Sequence, residues 1–266
     1  MAIDIVSKRL FSNSGQNGLV SIMYHSITPE GKKPDWQWAL SHREFNNQLS
    51  LLEDHGWTTL SIDDFYSLDS IPPKSVLITF DDGYADNLSA FEELTKRKMI
   101  ASWFVVTKDI DGVSSWTDTH APKLKMLSKA HLVDMQSAGM SIGSHTHSHC
   151  RLTRISEQSI ETELRISKEI LCEITGKEVI SFAYPYGDYD TYTVDKVISA
   201  GYKLAFTTRS GFGVVNNSLL EIRRISITNT DTLSSFARKL AFAANDVSWK
   251  QMANYFYKRF KARINQ

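Results

Sequence analysis

Val76-Leu77-Ile78-Thr79-Phe80-Asp81-Asp82-Gly83-Tyr84 is an apolar, partly β-branched run that ends at two carboxylates and a glycine. A run of that length and composition predicts a strand, and the glycine marks where it turns. The same pattern recurs outward on both sides. Leu19 to Tyr24, Ser102 to Thr107, Ser141 to Gly143, Val179 to Tyr184, Lys203 to Thr208 and Arg223 to Ile227 are short runs bounded by Gly, Pro, Asp or Ser. Segments with helical spacing lie between them. Ser41 to Glu44 reads as a capping box ahead of Phe45, Leu49 and Leu52, with Gly56 as its stop. Leu88 to Lys98 reads as a second helix, and Ser156 caps a third that closes at Gly176. Seven βα units without a second composition class predict an α/β fold in one domain, a closed or nearly closed parallel barrel, with an open sheet as the alternative.

With 266 residues, 42% apolar and 11% aromatic, the chain can fill a sizeable core, which excludes a disordered protein. Thirty basic residues balance thirty acidic ones, so no net field recommends nucleic acid as a partner. Two cysteines, Cys150 and Cys172, are too few for a disulfide framework. With no leader-like or membrane-spanning run, they point to a soluble, cytoplasmic protein. The organisation expected is an N-terminal extension over 1–18, a barrel over 19–247 and a basic amphipathic helix over 248–266. That last helix carries Lys250, Lys258, Arg259, Lys261 and Arg263 among Trp249, Met252, Tyr255, Phe256, Tyr257 and Phe260. It either packs on the barrel or touches an anionic membrane surface from the cytoplasmic side. The oligomeric state is left open.

In a parallel barrel, reacting side chains come from the carboxyl ends of the strands. His25, the Asp81-Asp82 pair, the His145-Thr146-His147-Ser148-His149 run and the Pro185 to Asp188 turn all fall there. Two adjacent carboxylates cannot point one way, so one suits a metal and the other a proton; alone, they also read as a turn with a helix cap. Histidines four apart meet only if the chain turns, since a strand holds them roughly 13 Å apart. Two histidines and one aspartate would leave a tetrahedral zinc site one open position, although the run also reads as a surface cluster. His147 reads as structural or as a support to the ligands, and Cys150 as a small buried residue, with a softer metal ligand as the alternative.

Taken together, Thr79-Phe80-Asp81-Asp82-Gly83 and His145-Thr146-His147-Ser148-His149 resemble two motifs of the polysaccharide deacetylase family, also called carbohydrate esterase family 4 or the NodB homology domain. The resemblance spans about residues 19–228, and Ala183-Tyr184-Pro185-Tyr186-Gly187 corresponds to its third motif. It implies a distorted (β/α)7 barrel with Asp81 as general base. It also implies one divalent metal on Asp82, His145 and His149, with zinc expected and cobalt, nickel or iron as alternatives. The implied reaction is hydrolysis of an N-acetyl group on a sugar of a surface polysaccharide or its precursor. The sequence departs from the pattern twice. Ala183 stands where the family usually has an arginine that orients the base, and no histidine follows His149. Met23-Tyr24-His25-Ser26 instead resembles the subgroup typified by poly-N-acetylglucosamine deacetylases, which makes His25 the expected acid. Arg223 or Arg224 could replace the missing guanidinium or form a structural pair. Tyr184, Pro185, Tyr186, Gly187 and Trp116 are the expected sugar contacts, with core packing as the alternative for each aromatic. Leu152 and Phe206 read as packing or a small acetyl pocket. The rival readings are a glycan-binding relative without catalysis and an amidase on a small non-sugar substrate.

Overall fold

The strand read from Val76 forms as β5 (Ser75–Phe80), and its alternation sorts side chains between two cores. Val76, Ile78 and Phe80 join the large apolar cluster under the helices. Leu77 joins a second cluster with Leu19, Phe104, Ala183, Leu204, Phe206 and Ile222 inside the curled sheet. Because successive strand side chains face opposite ways, Thr79 and Asp81 share the inner face with Leu77.

The computed structural model describes residues 3–16, 18–116, 121–214 and 218–253. Its main sheet runs β10 (Ile225–Ser226), β1 (Val20–Tyr24), β5, β6 (Ser102–Val105), β7 (Ser141–Ser144), β8 (Ser181–Ala183) and β9 (Leu204–Phe206), every neighbouring pair parallel. Phe206 bridges in parallel to Ile222, just before β10, which draws the two ends of the sheet together. The result is the expected distorted barrel, with all seven expected strands present. Three shorter strands carry no periodic signal of their own and escape a sequence reading. β2 (Ser26–Thr28) pairs with β3 (Ala39–Ser41), and β4 (Thr58–Thr59) adds to β5.

Helices α2 (His42–Asp54), α4 (Leu88–Lys96), α6 (Glu157–Thr175) and α7 (Thr191–Ser199) each follow a strand, accompanied by α3 (Ile62–Ser67) and α5 (Lys129–Ser137). Ser41 accepts the Glu44 amide hydrogen at the start of α2, and Ser156 accepts that of Ser159 at the start of α6. Gly176 ends α6 at φ 67°, a left-handed conformation that a Cβ would penalise.

Residues 3–16 are bound to the barrel. Helix α1 (Ile5–Ser12) buries Phe11 in the main core, where it stacks on Trp57 at 5.4 Å. Its N-terminus meets α8 (Leu233–Phe242): Asp4 N–H donates to Ser234 Oγ at 2.9 Å and Arg238 Nη1 donates to Ser7 Oγ at 2.7 Å. The final helix expected over 248–266 falls mostly on residues 254–266, outside the described residues. Among the described residues no helix is long and apolar enough to cross a membrane.

Candidate active site

Alternation also decides which rim residues reach the barrel mouth. Asp81 continues the inner face of β5. In the extended run that leads into β10, Ile222 and Ile225 belong to the inner and outer clusters respectively, so Arg224 and Ser226 face inward and Arg223 does not. Arg224, fully buried, grips Asp81 with two parallel hydrogen bonds, Nη1 to Oδ1 at 2.6 Å and Nη2 to Oδ2 at 2.7 Å. Its Nε donates to the Thr207 carbonyl at 2.9 Å and its Nη1 also to Thr79 Oγ1 at 3.1 Å, so the guanidinium is fixed from three sides. Burial pushes the Asp81 carboxyl up, but Arg224 outweighs it and leaves the group below its ordinary value. Of the two arginines read from sequence, Arg224 therefore meets the carboxylate.

The histidine run turns, as metal binding requires. Thr146 and His149 take left-handed conformations at φ 66° and 59°, and Asp82 does so at 75°. Such backbone costs of order 1–3 kcal/mol per residue and persists where surrounding bonds fix it. Here the fixing group is Glu163 of α6, whose carboxylate accepts the His147 and Ser148 amide hydrogens and the Ser148 hydroxyl. Thr146 Oγ1 accepts the His149 amide hydrogen at 2.9 Å. His147 points away from the mouth, its Nδ1 2.9 Å from Thr107 Oγ1. The charge at Glu163 gave no periodic signal in the sequence. Glu163→Ala is expected to weaken divalent-metal affinity about 10- to 100-fold, the usual range for an outer group that orients ligands. Competition against a metal-sensitive dye measures this, and unchanged affinity would mean that Glu163 does not hold the turn.

Ligand atoms of Asp82, His145 and His149 all lie within 4.8 Å of one another. Asp82 Oδ1 is 3.5 Å from His145 Nε2 and 3.2 Å from His149 Nε2. His145 Nδ1 lies 2.8 Å from the Ala183 carbonyl, which can only accept, so Nδ1 carries the proton. Burial pushes the His145 ring down to about 4, so at neutral pH it has one proton and its Nε2 offers a lone pair. That lone pair faces Asp82 Oδ1, which is buried and receives no hydrogen bond from the described residues. Acceptors converging in a buried space fit a cation, and this donor set of two imidazoles and one carboxylate suits a divalent metal with a position to spare. Cys150 takes no part; burial pushes its thiol up to about 12.

Above these residues opens a cleft of about 410 Å3, inside the range of small-molecule sites. His25, directly after β1 and continuing its inner face, borders it with a buried Nδ1 that has no hydrogen-bond partner among the described residues, its ring 5.0 Å from that of Trp38. Trp116 and Tyr186 flank His149 with ring centroids at 4.7 and 4.6 Å, and the Arg151 guanidinium lies 3.9 Å above the Tyr186 ring. Tyr184 corrects an expectation. Ala183 is the inward residue of β8, so Tyr184 turns outward, is fully buried in the main core and stacks on Tyr189 at 4.8 Å. No face of it is open to a sugar. Pro185 is buried as well, and Gly187 sits at φ 65° where a Cβ would lie 2.0 Å from Thr208 Oγ1; these two shape the turn that presents Tyr186. Leu152 and Phe206 are fully buried in the cores. Trp36 and Trp38 were missed. They line the cleft from the β2–β3 excursion, which Asp86 anchors by accepting from Ser26 Oγ at 2.6 Å. Their alternate spacing right after the first strand was the available signal.

A parallel barrel with an Asp-His-His cluster and a clamped second carboxylate at its carboxyl rim has the architecture of a metal-dependent hydrolase. The family profile described as polysaccharide deacetylase matches residues 69–205. The chain belongs to the polysaccharide deacetylase family. It is 29% identical to a Bacillus cereus polysaccharide deacetylase of known structure, with a TM-score of 0.71 over 84% of this chain and 69% of that one. The Streptococcus pyogenes deacetylase PplD, solved in complex with acetate, aligns with a TM-score of 0.72 at 27% identity over 84% of this chain and 98% of that one. The poly-β-1,6-N-acetyl-D-glucosamine N-deacetylase of Staphylococcus aureus is 26% identical over 240 residues, 80% of each chain.

Proposed function

We propose that this protein removes acetyl groups from the N-acetylated sugars of a polysaccharide, with zinc as its metal. The observation that carries the reading is the juxtaposition of an ionised carboxylate, Asp81, with the converging lone pairs of Asp82, His145 and His149 under one aromatic cleft. When bound by those three residues, the metal supplies Lewis acidity that acidifies water and polarises a carbonyl. Asp81 is the base in this reading: Arg224 keeps it ionised and aims both oxygens, so it can take a proton from the attacking water. His25 is the acid, because its Nδ1, without a hydrogen-bond partner among the described residues, borders the cleft and a departing amine needs a proton. Trp116 and Tyr186 offer ring faces against which an acetyl group or pyranose can rest. Retention of Asp81 together with its arginine clamp disfavours a binding protein without catalysis, which would need neither.

The test is release of acetate, with matching appearance of free amine, from N-acetylglucosamine oligomers by zinc-loaded protein, beside the same assay on small non-sugar amides. Release from the amides alone would replace the reading with that of a small-molecule amidase. His25→Ala is expected to lower kcat/KM for the N-acetyl substrate about 100-fold or more, and far less for an activated acetyl ester, whose leaving group needs little protonation. Equal losses on both substrates would remove His25 from proton transfer.

A further inference from the structure

The segment that follows the paired carboxylates reaches back to His25. Its turn, Ala85–Asn87, sets two polar side chains against the chain just beyond β1. Asn87, fully buried, donates from Nδ2 to the His25 carbonyl at 2.8 Å and to Asp86 Oδ1 at 2.9 Å. Because a carbonyl can only accept, the first bond fixes which end of the amide is nitrogen. Asp86 in turn accepts from Ser26 Oγ and, at 3.4 Å, from the Ile27 amide. On the other side of His25, the Asp81 amide hydrogen is donated to the Tyr24 carbonyl at 2.9 Å. Each of residues 24–27 is thus bonded to residues 81–87, the segment that also supplies the base and one metal ligand.

Asn87 is a poor device for stability alone. It stands immediately before α4, where an asparagine in extended backbone would accept a first-turn amide hydrogen. Its backbone is helical instead, at φ −69° and ψ −10°, and its side chain makes no capping bond to the helix. Its Oδ1 is buried with no hydrogen-bond partner among the described residues, a costly state for an acceptor. Burial likewise pushes the Asp86 carboxyl up to about 6, against the bonds from Ser26, Ile27 and Asn87. Polar groups kept at such a cost need a reason beyond packing, and what these two control is direction. The His25 ring has no hydrogen-bond partner at Nδ1 among the described residues, so its aim comes from the backbone beneath it and from the rings of Trp36 and Trp38 beside it.

We propose that Asp86 and Asn87 are positioning residues that aim His25 into the cleft, so that one segment sets the base, a metal ligand and the acid together. This rests on the reading of His25 as the acid. The experiment measures kcat/KM for an N-acetylglucosamine oligomer and for an activated acetyl ester with zinc-loaded full-length protein, beside metal content. Asn87→Leu, close to asparagine in shape but without the donor, is expected to lose about 10- to 100-fold on the N-acetyl substrate, the upper figure being the cost of misplacing a reacting group by about 1 Å. On the ester it should lose at most about threefold, and it should keep its metal. Asp86→Ala is expected to show the same selective loss. Asp86→Asn should recover most of it, because one amide oxygen still accepts from Ile27 and Asn87 while the Ser26 hydroxyl can turn to accept. Either alanine or leucine variant decides the matter if the other does not fold. Equal losses on the two substrates, loss of metal, or unchanged N-acetyl turnover overturns the proposal, and a selective loss in His25→Ala alongside leaves the acid reading in place. Equal losses in His25→Ala overturn both.

Discussion

Asp81→Asn is expected to lower kcat for acetate release by about 100- to 10,000-fold, the range that a positioned general base contributes, while the protein still binds one divalent ion. The expectation comes from the division of labour between adjacent carboxylates. Asp81 is on the inner face of β5 in the grip of Arg224, and Asp82 turns at φ 75° toward His145 and His149. The amide would also set an N–H₂ against one Arg224 donor, so a lower melting temperature should accompany the loss. His149→Ala is the counterpart. It removes one of three ligands and is expected to abolish both metal content and turnover. Metal analysis beside a steady-state assay separates the two variants, and near-wild-type turnover by Asp81→Asn would end its assignment as the base.

Arg224→Met is expected to cost about 3–5 kcal/mol of stability, the usual penalty for leaving a buried charge without its partner. For a chain of this size that lowers the melting temperature by roughly 10 °C, at about 2–4 °C per kcal/mol. Among the described residues Arg224 supplies both side-chain hydrogen bonds to Asp81, and the Thr207 carbonyl loses a donor as well. Turnover should fall with it even below the melting transition. Arg224→Lys should recover part of the stability and less of the turnover, because a single ammonium keeps the charge but not the planar two-point fork. Melting curves and kcat for the pair decide the matter. A Met variant as stable as wild type would show that the buried ion pair is not what holds Asp81.

Much of this was legible in the residues, for physical reasons. Strands such as Val76 to Phe80 announce themselves because a core strand must be apolar, and helices such as α6 because Ser156 and Gly176 satisfy their ends. The Asp82, His145 and His149 cluster was legible because metal ligands come from few residue types. Three things were not. Strand β4 is a pair of threonines, one of them exposed, and so carries no apolar run to read. Tyr184 looked like a sugar platform because sequence gives neighbours along the chain, whereas which face of β8 a residue takes depends on where that strand begins pairing. Glu163 acts through backbone partners 16 and 15 residues away, His147 and Ser148, and no local pattern signals such bonds.

The guanidinium that clamps Asp81 arrives from β10, while the family's usual arginine position on β8 holds Ala183, whose carbonyl serves His145 instead. Both strands open their inner faces onto the same small space. A barrel mouth therefore lets strands far apart in the chain contribute to one site, and a charge that one strand lacks can be supplied from another.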